Sequence, residues 1–211
     1  MAKIRREEVV SAALELLDEV GLDGLSTRRL AQKLGVESAS LYWHFRDKAT
    51  LLGEMASLVL ARHHTFRMPE ESTDWRAWFA DLARSFRRAL LAYRDGALLH
   101  AGTTPNQEEI AAMQPMVQSL VRAGFSEADA HMALLNVSQY VVGCVLEQQA
   151  RPTRTVSPPE RQAPTERGPN DRDSSSEFVL TPIDPDDAFE FGLDLFVSGL
   201  ADRLTIDPKR D

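Results

Sequence analysis

An all-α fold in two parts is what this sequence of 211 residues predicts: an N-terminal three-helix domain of the helix-turn-helix type, then a larger helical body. Three observations point there. Apolar residues recur at spacings of three and four almost throughout, and no alternation of β-branched residues competes with them. Ala31, Gly35 and Leu41 stand at the offsets that two helices crossing through a tight turn require. Residues 151–177 break the pattern with five prolines, Val156 and Ala163 being their only apolar side chains. Such a segment buries too little surface to offset its ordering entropy, so a mobile loop is expected at 151–180.

The elements follow in order. Val10, Ala13, Leu14, Leu17 and Val20 make one stripe, and Gly21 is its natural stop because glycine takes the left-handed helix-end conformation cheaply. Two short helices follow, Thr27–Leu34 and Ser38–His44, each led by a hydroxyl able to cap free amides. A longer helix from Lys48 to Thr65 carries Leu51, Leu52, Met55, Leu58 and Val59. After the break at Met68-Pro69, Asp74 caps a helix through Tyr93 that buries Trp78, Phe79, Leu82, Phe86 and Leu90. A short helix from Asp95 to His100 runs into Gly102 and Pro105, which end it. Asn106 with Glu109, and Ser126 with Asp129, read as capping boxes for helices at 107–123 and 127–150. Asp184-Pro185 opens the last helix, with Phe189, Leu193, Phe196, Val197, Leu200 and Leu204 on one face. The count is nine or ten helices, divided as 1–47 and 48–204.

Composition excludes several classes. The net charge of -8 rules out a generally basic coat for nucleic acid. Residues 1–48 are balanced, eight Lys/Arg against eight Asp/Glu, so the acidic excess lies in the remainder. A single Cys rules out a disulfide framework within the chain and any multi-cysteine zinc site. Val141–Leu146 is the longest apolar run, far short of the ~20 residues of a membrane span. The N-terminus lacks the apolar stretch of a signal peptide, and a cytoplasmic protein is expected.

In the helix-turn-helix unit, Ala31 is small where the helices cross, Gly35 permits the turn and Leu41 plugs the second helix into the core. The exposed positions there, Ser38, Ala39, Ser40, Tyr42, Trp43 and His44, with Thr27, Arg28 and Lys48 beside them, suit base edges, thymine methyls and phosphates. An ordinary three-helix packing unit with Tyr42 and Trp43 inside is the alternative. Against it, Leu41-Tyr42-Trp43-His44-Phe45 places five bulky residues in a row, and a 3.6-residue period cannot turn all of them to one core.

The run Leu25-Ser26-Thr27-Arg28-Arg29-Leu30-Ala31-Gln32-Lys33-Leu34-Gly35-Val36, followed by Leu41-Tyr42-Trp43-His44, resembles the DNA-binding domain of the TetR family. Arg62-His63-His64-Thr65, Ser85-Phe86-Arg87, Tyr93-Arg94-Asp95-Gly96-Ala97, His100, Gly102-Thr103 and Gly143-Cys144-Val145-Leu146-Glu147 extend the resemblance through most of 4–149, and it fails across 151–180. The resemblance implies a ligand-responsive repressor that reads a palindromic operator in double-stranded DNA as a homodimer. It also implies release by a small aromatic, antibiotic-like inducer. A constitutive DNA-binding regulator with a vestigial or non-metal pocket is the alternative. A metal-dependent enzyme using His63, His64, His100 and Glu147 has no closely spaced ligand motif and no nucleophile paired with a base to support it.

On the residues alone, His64, His100 and Glu147 are ionisable groups on otherwise apolar segments, able to ligate a divalent cation or to be satisfied in a core. The resemblance implies more. His100 and Glu147 match positions that hold a Mg²⁺–tetracycline chelate, Thr103 matches one that helps through water, and His64 and Phe86 match drug contacts. Pro105 and Leu134 fall in the same pocket, while Leu82, Met116 and His131 replace the family's asparagine, glutamine and an apolar wall residue. Polar drug groups left unpaired at Leu82 and Met116 would cost about 1–3 kcal/mol each. Ser38 and Ala39 replace the family's base-reading glutamine and its proline, so a shifted operator preference is expected. For dimerisation, Ala130, Ala133, Val137, Val141 and Cys144 on helix 127–150, with Gly192 and Gly199 on helix 183–204, form a small-residue surface for the symmetry mate. Packing within the chain is the alternative.

Overall fold

The computed structural model describes residues 4–65, 67–69, 74–150 and 183–206. Nine α-helices stand among them: α1 (Arg6–Gly24), α2 (Thr27–Leu34), α3 (Ser38–Leu41), α4 (Lys48–His63), α5 (Trp75–Leu91), α6 (Gly96–Ala101), α7 (Gln107–Arg122), α8 (Glu127–Ala150) and α9 (Pro185–Ile206). The loop expected at 151–180 lies outside the described residues. No helix among the described residues is long and apolar enough to cross a membrane.

The expected caps form at Asp74, Asn106 and Ser126, while the hydroxyl cap expected for α3 does not: Ser38 lies inside that helix, which starts after Glu37 with no side-chain cap bond. Ser26 accepts the Arg29 amide, Asp47 the Thr50 amide, Asp74 the Arg76 amide and Asn106 the Glu109 amide. Two boundaries differ. Gly21 (φ 71°, ψ 173°) kinks α1 without ending it, and a last turn runs on to Gly24. The amide of Leu22, freed by the kink, donates to Asp95 Oδ2 at 2.8 Å. Helix α3 is one turn long, where a helix through His44 was expected, because tight turns after Leu41 let Leu41 and Phe45 both face inward.

Two apolar cores result. The first joins α1, α2, Leu41 and Phe45 to Leu51, Met55, Ala56 and Val59 of α4, and reaches into the body through Ala89 and Leu99. The second is built by α5, α7, α8 and α9 around Phe79, Leu90, Val141, Phe189 and Leu193. Each fully buried side chain of this size contributes about 1.5–3 kcal/mol. Leu60 packs against both clusters, so α4 joins the N-terminal unit by its buried face and the body by its C-terminus.

The small-residue surface of α8 is not the free one. Ala130, Ala133, Val137 and Val141 are buried within their own chain, and Cys144 packs partly buried on the same cluster. Gly192 is likewise met by Tyr140 of the same chain, whose hydroxyl also donates to the Phe189 carbonyl at 2.7 Å. Smallness serves close packing inside the chain at these positions, whereas Gly199 has open space beside it. The faces left exposed carry Met132 and Leu135 on α8, and Phe191 and Leu195 on α9.

Candidate functional site

Two surfaces collect the predicted residues. On the first, α2 and α3 pack at the turn made by Gly35, whose φ of 65° is the left-handed conformation that glycine supplies. The five bulky residues divide as expected, in turns that follow α3: Leu41 and Phe45 are inside, while Tyr42 is 59% and Trp43 88% exposed. Arg28 and Ala39 are exposed, and Thr27, Ser38, Ser40 and His44 half-buried. Lys48 Nζ donates to the Leu25 carbonyl at 2.8 Å, and this bond ties the start of α4 to the loop before α2. Arg6 braces the same unit from α1, bonding to Glu54 and to the His44 carbonyl and lying over the Phe45 ring.

The second surface lies where the C-terminus of α4 meets α5 and α6. Phe86 stands between two imidazoles, 5.5 Å from the His64 ring and 5.0 Å from the His100 ring, the latter edge-on. Ser85, fully buried, fixes His64. Its single hydroxyl proton goes to the Thr65 carbonyl at 2.8 Å, so the 3.1 Å contact with His64 Nδ1 is a bond that the imidazole donates. The lone pair then resides on Nε2. Burial, with Arg88 and His100 nearby, pushes the His64 pKa down to about 4. Burial also lowers that of His100, against an opposing pull from Glu109. Both rings are therefore neutral near pH 7.

The loop after His100 is wound tightly, with the Thr103 amide and hydroxyl both donating to the His100 carbonyl at 3.1 and 3.0 Å. Pro105 is exposed. Leu82 and Leu134 are buried in the second core, Met116 packs partly buried against it, and His131 is exposed with Nδ1 2.8 Å from the Glu127 carbonyl. Glu147 is not brought to His100. Gln149 faces the α5–α6 corner, donating to the carbonyls of Leu90 and Tyr93 and accepting the Ala97 amide. Glu147, two residues away and so about 200° around the helix, is exposed with Asn136, Gln139 and Gly143. Among the described residues no three His, Cys, Asp or Glu side chains gather as a metal site.

Residues 9–55 match the family described as bacterial regulatory proteins, tetR family, and residues 68–204 match the tetracyclin repressor-like C-terminal domain. The chain belongs to the TetR family. Tetracycline repressor protein class A from transposon 1721, of Escherichia coli, is 45% identical over 98% of this chain and 94% of its own length. A TetR variant from Acinetobacter baumannii AYE, solved in complex with minocycline, superposes with a TM-score of 0.75 at 41% identity, covering 94% of this chain and 97% of that one. TetR(class A), solved with 5a,6-anhydrotetracycline and magnesium, gives 0.70 at 43% identity, covering 92% and 96%. This TetR-family chain is a ligand-responsive transcriptional repressor that acts on operator DNA, and not an enzyme.

Three residues of the repressor's second surface escape a reading by motif. Ser85 looks like an ordinary small core residue until its hydroxyl is seen to orient His64. Glu109 and Asn106 are legible as a capping box, which they form, but not as neighbours of His100 and of α4.

Proposed function

We propose that the repressor is released by a tetracycline-type chelate of Mg²⁺ held at His100. The observation that carries the reading is the aromatic cluster His64–Phe86–His100, whose two imidazoles are neutral and positioned by Ser85 and by the α6 turn. Residues 1–47 form the reading head and 48–204 the effector body. Thr27, Arg28, Ser38, Ala39, Ser40, Tyr42, Trp43, His44 and Lys48 face the operator, in the bacterial cytoplasm.

Mg²⁺ prefers oxygen ligands and keeps several waters. One imidazole and one carboxylate fit it only when an anionic inducer supplies further oxygens, which makes inducer and metal a single ligand. Glu147 faces away from its own chain's pocket. In the homodimer formed by the exposed faces of α8 and α9, the partner subunit's Glu147 takes this part. When bound, the metal neutralises the inducer's charge. His64 orients the inducer through Nε2, Phe86 provides an apolar wall, and Leu82, Leu134 and Met116 exclude water. His131 stands at the rim.

The test is a fluorescence titration with tetracycline in Mg²⁺ and then in EDTA. Binding that EDTA abolishes, and that Glu147→Ala weakens while operator affinity stays intact, is expected. With Leu82 and Met116 offering no polar partner, affinity falls about 10- to 100-fold for each drug group left unpaired. Metal-independent binding would refute the chelate, and no binding at all would transfer the pocket to another ligand.

A further inference from the structure

We propose that Asn106 is a positioning residue for induction: it is the polar strut by which the loop after His100 sets the place of α4. The proposal rests on the effector reading above and assigns to Asn106 one polar contact between the pocket loop and α4. Asn106 is held on two sides. Its backbone amide donates to Glu109 Oε2 and its Oδ1 accepts the Glu109 amide, both at 2.9 Å, which fixes it at the head of α7. Its Nδ2 donates to Ser57 Oγ at 3.1 Å. The polarity of that bond is fixed, because the Ser57 hydroxyl proton already goes to the Gly53 carbonyl at 3.0 Å.

The strut spans two structures that the two functions use. On one side lies the four-residue loop 102–105 after His100, with Glu109 electrostatically sensed by the His100 ring. On the other side, Ser57 stands part-way along a helix whose first residue binds the Leu25 carbonyl of the reading head and whose end is anchored on Ser85. Leu99 also packs in the cluster with Met55 and Val59, but apolar contact tolerates sliding, whereas one donor and one acceptor set a register. Geometry amplifies what the strut passes on. At about 1.5 Å per residue, Ser57 is ~10 Å and Lys48 ~24 Å from His64. A helix pivoting at His64 therefore moves about twice as far at its DNA end as at Ser57. Asn106 and Ser57 also line the open groove of about 730 Å³ beside α1 and α4.

Ser57→Ala removes the acceptor while leaving the Asn106 cap intact, and alanine suits a helix interior. Asn106→Ser keeps a capping residue but is too short to reach. The first measurement needs no inducer: hydrogen exchange of amides 101–107 with and without operator DNA selected by the wild-type protein. Linkage requires that DNA act on the loop through whatever carries the loop's effect on DNA. Operator binding should change this exchange in the wild type. Each single variant and the double should lose that change equally, by about 3- to 10-fold, as expected for one neutral hydrogen bond. A wild-type response in Ser57→Ala, additive losses in the double variant, or no response in the wild type would each overturn the strut. The second measurement is the factor by which tetracycline with Mg²⁺ weakens operator binding, and the variants should lower it by the same ratio. If tetracycline leaves wild-type operator binding unmoved, the inducer reading fails, while the exchange experiment still decides on Asn106.

Discussion

Gly21→Ala is a severe test of the join between reading head and body. The backbone at Gly21 (φ 71°, ψ 173°) lies in a region essentially reserved for glycine, where an L-residue costs about 1–3 kcal/mol. A Cβ there would also come 2.8 Å from Asp95 Oδ2 and 3.1 Å from Arg94 Nε. Moving Asp95 away forfeits its bond to the Leu22 amide, about 1.5–3 kcal/mol for a hydrogen bond to a charged acceptor. Together the loss is about 2.5–6 kcal/mol, a large part of the 5–15 kcal/mol that holds a typical protein folded. Gly53→Ala is the matched control. Gly53 lies within α4, and a Cβ would meet nothing within 4 Å, so the same substitution should stabilise by about 0.5–1 kcal/mol. Urea unfolding of both variants, at one protein concentration because dimer stability depends on it, gives the two signs directly. If Gly21→Ala unfolds within about 1 kcal/mol of wild type, as an ordinary surface change would, the kink is not held by Asp95 and this account of the join is wrong.

Trp43→Ala should leave stability within about 0.5 kcal/mol, its side chain being solvated, and weaken operator binding by about 1–3 kcal/mol in a gel-shift assay; unchanged binding would remove Trp43 from the reading surface. Phe191→Asp places a charge on the exposed face of α9 and should give monomers in sedimentation experiments; an intact dimer would move the interface elsewhere. His64 has a lowered folded pKa, so its neutral form supports the fold fully above the ordinary histidine range, and that support is lost as pH falls towards 4. About 2 kcal/mol is expected once solvent screening at a half-buried site is allowed for. His64→Gln should flatten that part of the stability profile, and an unaltered profile would contradict the burial of the ring.

Helix positions were legible because capping and periodicity are local. Ser26, Asp47, Asp74 and Asn106 sit where their hydroxyl, carboxylate or amide oxygens are needed, and tertiary contacts did not override them. The kink at Gly21 was not, because what carries the chain past a glycine is a carboxylate 73 residues away. The helices of the dimer were legible, but the α8 face was misread for a related reason. A stripe of small residues announces close packing without saying whose helix approaches, and Tyr140 and α5 of the same chain claimed it. Within the pocket, His64, Phe86 and His100 were accessible from their motifs, whereas Ser85 and Asn106 act through single hydrogen bonds that no spacing encodes.

Helix α4 lends its buried face to the first core, and this bears on how such repressors can be recombined. A chimera joined at residue 47 would strip Leu51, Met55, Ala56 and Val59 from beneath α1 and seat a foreign helix against Leu14 and Leu17. Exchanging operator specificity between relatives therefore calls for a seam beyond His63, carrying α4 along with the head. The strut residue at 57 then arrives from one parent and its partner at 106 from the other, so a transplanted head inherits a new operator and a mismatched trigger unless both positions travel together.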